Sequence, residues 1–222
     1  MPGTALVLVD IQNDFLPPDG SLAVTDGRQI LPVVLDLLKD PSRFNVIVAT
    51  LVDHPVGHVS FASTHGLKPF TATQVPKLNS ENETITQMLW PDHCVQNTPG
   101  CDIESSIQKR LDEIGDKFQY IKKGDDIAVD AYSGFADNQY MHITGLAKLL
   151  YTKNVSKVLV TGLATDYCVK FTAIDACKFG FATYVVEEAV RGVDPTADEA
   201  VFAELKKWGC QVISLEQASA VI

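Results

Sequence analysis

Near its N-terminus this 222-residue chain has no apolar run long enough to cross a bilayer. The segment MPGTALVLVDIQNDF is interrupted by Asp10, and no positively charged region precedes it. A soluble, unexported, cytoplasmic protein is therefore expected, without a membrane partner. Basic residues are scarce: 18 Lys and Arg stand against 28 Asp and Glu, a formal charge of −10 with no basic run, which argues against a general nucleic-acid surface. Repeats are absent. Cysteines are few and odd in number, Cys94, Cys101, Cys168, Cys177 and Cys210, and none has a paired metal spacing. This pattern excludes a disulfide framework and suits free thiols in a reducing compartment. Hydrophobic residues make up 46% of the chain, enough to bury a sizeable core in one domain.

Short apolar, β-branched runs predict strands at 5–9, 46–49, 118–121, 158–161, 182–186 and 211–214, each patterned for burial on both faces. Helical periodicity falls between them at 30–38, 103–114, 141–151, 166–178 and 198–207. The alternation predicts an α/β fold, a single three-layer domain with a mostly parallel six-stranded sheet and helices on both faces. Such sheets bind ligands beyond the carboxyl ends of their strands, and Asp10, Lys123 and Cys168 all fall at or just past predicted strand ends. The stretch 51–100 has weak periodicity yet holds four of the five histidines, which points to a functional loop.

The segment VLVTGLATDYCVK places Cys168 just past a buried-type strand, at the start of a predicted helix. Backbone N–H groups there favour a thiolate and can also receive the oxyanion of a tetrahedral intermediate. Amide hydrolysis by a thiol further needs a base for the S–H proton and an acid for the departing amine. Asp10 can serve as both, and a nearby Lys123 ammonium would favour the thiolate. Taken singly, Asp10 reads equally well as a turn cap and Lys123 as a solvated charge; their shared position at strand ends is what groups them. His54, His58 and His93, flanked by Asp53 and Asp92, form a second cluster suited to zinc or iron, or else to hydrogen-bonding loop backbone. Phe15, Trp90 and Tyr167 offer aromatic walls for a flat substrate.

Together the segments VLVDIQNDFL, HPVGHVSF, LWPDHCVQNTPG, KKGDDIAVDAYSGF and GLATDYCVKFTAIDA resemble, in order and over nearly the whole chain, the nicotinamidases of the isochorismatase-like cysteine hydrolases. The resemblance implies a parallel-sheet α/β fold and hydrolysis of nicotinamide to nicotinate and ammonia, with pyrazinamide as an analogue substrate. It maps the nucleophile onto Cys168, the acid/base aspartate onto Asp10 and the lysine onto Lys123. It further implies a cis peptide between Leu163 and Ala164, an oxyanion hole from the Ala164 and Cys168 N–H groups, and a ring pocket of Phe15, Trp90 and Tyr167 with Tyr132 nearby. The family carries a divalent metal, expected here to be zinc, and spans monomers and homo-oligomers.

The chain departs from the pattern at the metal. Where similar enzymes have aspartate, an aromatic and then histidine before proline, this chain reads Val52, Asp53, His54, Pro55. The expected ligands are His54, His58 and His93, with Asp53 recruited by a local backbone shift. Two alternatives remain at this stage: a metal-free amidohydrolase of the same fold acting on another small amide, and a catalytically silent ligand-binding relative.

Overall fold

The computed structural model describes residues 3–222. In chain order the strands are β1 (Gly3–Val9), β2 (Val46–Val52), β3 (Ala72–Pro76), β4 (Thr84–Met88), β5 (Phe118–Lys123), β6 (Val155–Leu163), β7 (Ala182–Arg191) and β8 (Gln211–Ile213). The helices are α1 (Ile30–Leu37), α2 (Ala62–His65), α3 (Ser105–Ile114), α4 (Leu146–Thr152), α5 (Lys170–Lys178), α6 (Asp198–Lys207) and α7 (Leu215–Val221). Six strands form one sheet in the order β5-β2-β1-β6-β7-β8, and every pairing in it is parallel.

The period-2 geometry of a strand divides the core in two. Leu6 and Leu8 of β1, Ile47 of β2 and Leu159 of β6 face one way, packing with Ile30 and Val34 of α1, Ile107 and Leu111 of α3 and Ala218 of α7. Ala5, Val7 and Val9, with Val48, Val158 and Val160, face the other way onto Leu146 and Leu150 of α4, Ala173 and Ile174 of α5, and Val201 and Leu205 of α6. Burial on both faces explains why these strands read as continuous apolar runs rather than alternating ones.

Several boundaries differ from the periodicity, and local hydrogen bonds account for them. Helix α4 starts at Leu146 rather than near 141. The Asp137 carboxylate accepts the N–H groups of Gln139, Met141 and His142, and Thr144 Oγ1 accepts from Leu146 N, so the intervening backbone is held as a loop. Helix α3 starts at Ser105 because the Glu104 carboxylate caps the N–H groups of Ser106 and Ile107. The predicted helix 166–178 divides into a wide π turn, Thr165–Val169, and α5. The weakly periodic stretch contains α2 and an antiparallel hairpin, β3 paired with β4. A capping box between Ser214 and Gln217 opens α7, which the periodicity does not signal.

From β1 the chain first builds outward through β2 to β5, then returns to the other side of β1 with β6. The strand order therefore reverses between β1 and β6, and a cleft opens there at the carboxyl edge. Among the described residues, no helix is long and apolar enough to cross a membrane.

Candidate active site

Register carries three distant residues to one rim. Val9 pairs with Thr50 and with Gly162, and Val52 pairs with Lys123, so the turns after β1, β2, β5 and β6 adjoin. Asp10 takes a left-handed conformation (φ 48°) immediately after β1. Thr50 fastens it on both sides: Asp10 N donates to Thr50 Oγ1 at 3.2 Å, and Thr50 Oγ1 donates to Asp10 Oδ1 at 2.6 Å. The other carboxylate oxygen, Oδ2, lies 2.9 Å from Lys123 Nζ, with both side chains wholly buried. Lys123 Nζ also donates to the Ala131 carbonyl at 2.8 Å and to Cys168 Sγ at 3.4 Å. Apart from its ion pair with that ammonium, Asp10 Oδ2 accepts no hydrogen bond among the described residues, and the Cys168 side chain lies beside the Asp10 carboxylate.

The electrostatics of this buried trio differ from the expectation of a ready thiolate. Burial pushes the Cys168 thiol well above its ordinary range; the Lys123 ammonium opposes that rise and the Asp10 carboxylate adds to it. The resting site therefore holds a thiol, and its helix-start position does not overcome desolvation. Burial works against the charge on Lys123, but the Asp10 carboxylate, through its charge and the hydrogen bond it accepts, outweighs it and holds Lys123 above its usual value.

Cys168 sits in the π turn that begins one residue after β6. The Leu163–Ala164 peptide is cis, and Ala164 O accepts from Tyr167 N and Val169 N. Among the described residues, neither Ala164 N nor Cys168 N donates to an acceptor outside this turn. Phe15, Trp90, Tyr132 and Tyr167 line the same cavity as Ala164 and Cys168, together with Leu22, Val52 and Val193. Trp90 and Tyr167 meet edge to face at 4.7 Å, and Trp90 Nε1 donates to Tyr132 Oη at 3.3 Å, which fixes the wall.

At one end of this cavity lies a donor cluster. One ligand atom each from His54, His58 and Asp130 falls within 4.8 Å of the others, so these residues form a group able to hold a metal ion. His54 Nδ1 donates to the Gly124 carbonyl at 2.6 Å, leaving the lone pair of Nε2 toward Asp130 Oδ1 at 3.8 Å. A backbone carbonyl orienting a ligating imidazole in this way is the usual outer-shell arrangement. His93, which also lines the cavity, sets its ring edge-on to His54 at 5.0 Å, and its Nδ1 is committed to Pro91 O, leaving Nε2 open. His58 is more heavily engaged, through Ser60 Oγ at 2.7 Å and Val129 O at 3.2 Å. Burial holds all three imidazoles below the ordinary histidine value, most strongly His54, so each is in the neutral form that ligates. The donor set fits a divalent ion of borderline character.

Asp53 is not part of it. Its Oδ2 pairs with Lys122 Nζ at 2.9 Å and its Oδ1 accepts from Cys101 Sγ at 3.5 Å, on the other side of the chain from the histidines. Val52 is the residue that faces the cavity, and no backbone shift turns its neighbour inward. The carboxylate beside the histidines comes instead from Asp130, in the loop after β5, which the sequence reading passed over. Its signal was an acidic residue seven positions beyond the strand-end lysine, in the same motif. Thr50 was also missed; mid-strand threonines are too common to attract notice.

Residues 4–217 match the isochorismatase domain. The chain is 37% identical to the nicotinamidase of Escherichia coli over 97% of this chain and 96% of that one. The chain belongs to the isochorismatase-domain family. Its fold superposes on the yeast nicotinamidase bound to the inhibitor nicotinaldehyde with a TM-score of 0.90 at 32% identity, covering 95% of this chain and 99% of that one. It also superposes on the Pyrococcus horikoshii pyrazinamidase in complex with zinc, with a TM-score of 0.73 at 33% identity, covering 96% and 99%. The single α/β domain with a six-stranded parallel sheet is thus common to this chain and these family members.

Proposed function

We propose that this chain is a nicotinamidase, hydrolysing nicotinamide to nicotinate and ammonia through a cysteine thioester, with pyrazinamide as an analogue substrate. The observation that carries the reading is the buried contact of Lys123 Nζ with both Asp10 (2.9 Å) and Cys168 (3.4 Å) at the floor of an aromatic cavity. A protonated thiol needs a base, and Asp10 is the carboxylate beside it. Asp10 takes the thiol proton as Cys168 Sγ attacks the carboxamide carbon, and the Ala164 and Cys168 N–H groups receive the oxyanion. Asp10 returns the proton to the departing ammonia, leaving the acyl group on sulfur. It then draws a proton from water as the hydroxyl adds to the thioester, so that nicotinate leaves and the thiol is restored. Lys123 pairs with the Asp10 carboxylate and stabilises negative charge on sulfur during attack. Trp90, Tyr132, Tyr167 and Phe15 confine the ring.

His54, His93 and Asp130, with His58, would hold a divalent metal, zinc in our reading, whose chemistry when bound is to anchor and polarise the pyridine ring. The support is the buried, neutral, carbonyl-oriented imidazole set and the zinc-bound relative. Val52 favours a second reading, a metal-free enzyme for another small amide. Metal analysis separates the two: purified protein that stays metal-free in excess zinc would overturn the zinc reading. The activity test is ammonia release from nicotinamide by zinc-replete protein with Cys168→Ala as the blank. Release that vanishes in the variant is expected, and turnover retained by Cys168→Ala would overturn the mechanism.

A further inference from the structure

Asp166 belongs to the GLATDYC segment but has no part in the chemistry above. Its side chain is buried, and both oxygens are spent on one distant segment: Oδ1 accepts from Val193 N and Oδ2 from Asp194 N, each at 2.9 Å. That segment has left the sheet, since β7 ends at Arg191 and the last β6–β7 pair is Leu163 with Arg191. The approach is close: a Cβ at Gly192 would stand 3.0 Å from Asp198 Oδ1 and 3.5 Å from Asp166 Cγ. The two ends of the clamp both belong to the cavity. Asp166 is followed by Tyr167 and Cys168, which line it, and Val193 lines it from the far segment.

We propose that Asp166 is a positioning residue for substrate: its carboxylate clamps the Val193–Asp194 backbone to the nucleophile turn, so that Val193 closes the apolar wall opposite the aromatic residues. The inference rests on the nicotinamidase reading for its substrate. A carboxylate that accepts two N–H bonds in a fork fixes both position and orientation of the peptide it holds. Without it the Val193 amide and its neighbour must find water, and the wall opens. The chemical groups have anchors of their own: the turn carrying Cys168 is closed on Ala164 O by the Tyr167 and Val169 N–H groups, Asp10 is held by Thr50, and Lys123 is held by Ala131 O. The clamp therefore acts on how well the ring is held rather than on the bond-making step.

The variant is Asp166→Asn, which keeps the shape but presents an NH2 group to one of the two N–H donors. Its KM for nicotinamide is expected to rise about tenfold, with kcat within about threefold of wild type. Val193→Ala, a change at the cavity wall that leaves the clamp in place, is expected to raise KM by a similar factor. In the double variant the two effects should fall well short of multiplying, because both report the same wall. A kcat loss at unchanged KM for Asp166→Asn, an unchanged KM for Val193→Ala, or fully multiplying effects would each overturn the proposal. Amide hydrogen exchange of the ligand-free proteins supplies a readout that does not depend on turnover. Exchange at Val193 and Asp194 is expected to be at least about tenfold faster in Asp166→Asn, with the strand amides unchanged. Equal exchange would sink the clamp, whereas wild-type protein that releases no ammonia from nicotinamide would sink the substrate reading and leave the exchange result standing.

Discussion

Lys123 keeps an ammonium group with no side-chain exposure, and it satisfies Asp10, Ala131 and Cys168 at once. Either charge alone in that position would be costly. Lys123→Met preserves length but strands the Asp10 carboxylate, and should destabilise the protein by about 3–5 kcal/mol in urea unfolding, the usual loss when one partner of a buried pair is removed. A loss below about 1 kcal/mol would mean that water already reaches the pair. Because the Lys123 value is raised on folding, its contribution is complete below the unfolded lysine pKa, about 10.4, and is lost as pH rises through the folded value. The gap between wild type and variant should therefore stay flat from about pH 6 to 9 and narrow only above about pH 10. Asp130 and Val52 make a second residue-scale pair. Asp130→Asn is expected to weaken zinc binding by more than about tenfold, and Val52→Asp to tighten it, both read by competition with a chromogenic chelator. The reverse order would remove Asp130 from the ligand set.

At the scale of the element, Gly124 shows how a turn serves a side chain. It lies just past β5 with φ +69°, and a Cβ there would come within 2.6 Å of His54 Cε1. Gly124→Ala should displace the imidazole whose Nδ1 the Gly124 carbonyl orients, lowering zinc affinity about tenfold or more while far-UV dichroism stays unchanged. Normal zinc affinity in that variant would mean that His54 is oriented by something else. The central strands were legible because burial on both faces leaves continuous apolar runs such as Leu6–Val9 and Val158–Val160. The edge strands β5 and β8 are exposed or half-buried at most positions, against the expectation of burial on both faces, because no strand covers their outer side. The true start of α4 and the wide turn at Cys168 were not. They depend on the Asp137 carboxylate and on Ala164 O, local hydrogen bonds that outcompete apolar periodicity. The β3–β4 hairpin was hidden for another reason: its residues are largely exposed and carry no alternating apolar face.

For the whole molecule, three imidazoles buried neutral at one end of a cleft set a limit on acid stability. His54, His58 and His93 all have folded values below the unfolded one, about 6.5, so the unfolded chain binds more protons as pH falls through that range. Metal-free protein is expected to lose stability progressively below about pH 6.5, with a slope of up to about 4 kcal/mol per pH unit if all three contribute. A melting temperature constant from pH 7 to 5 in the presence of chelator would mean that these rings take up protons as readily in the folded state as in the unfolded one. The fold class, the placement of Asp10, Lys123 and Cys168 at strand ends, and the aromatic character of the pocket were legible in the sequence, because buried parallel strands and strand-end polar residues leave a local pattern. Other features could not be read that way: the side of β2 that Asp53 takes, the arrival of Asp130 beside His54, the protonated state of Cys168 and the reach of Asp166 to Val193. Each depends on which chain segment lies across the cleft and on how much water it excludes, and only the packed sheet and its crossing loops decide those.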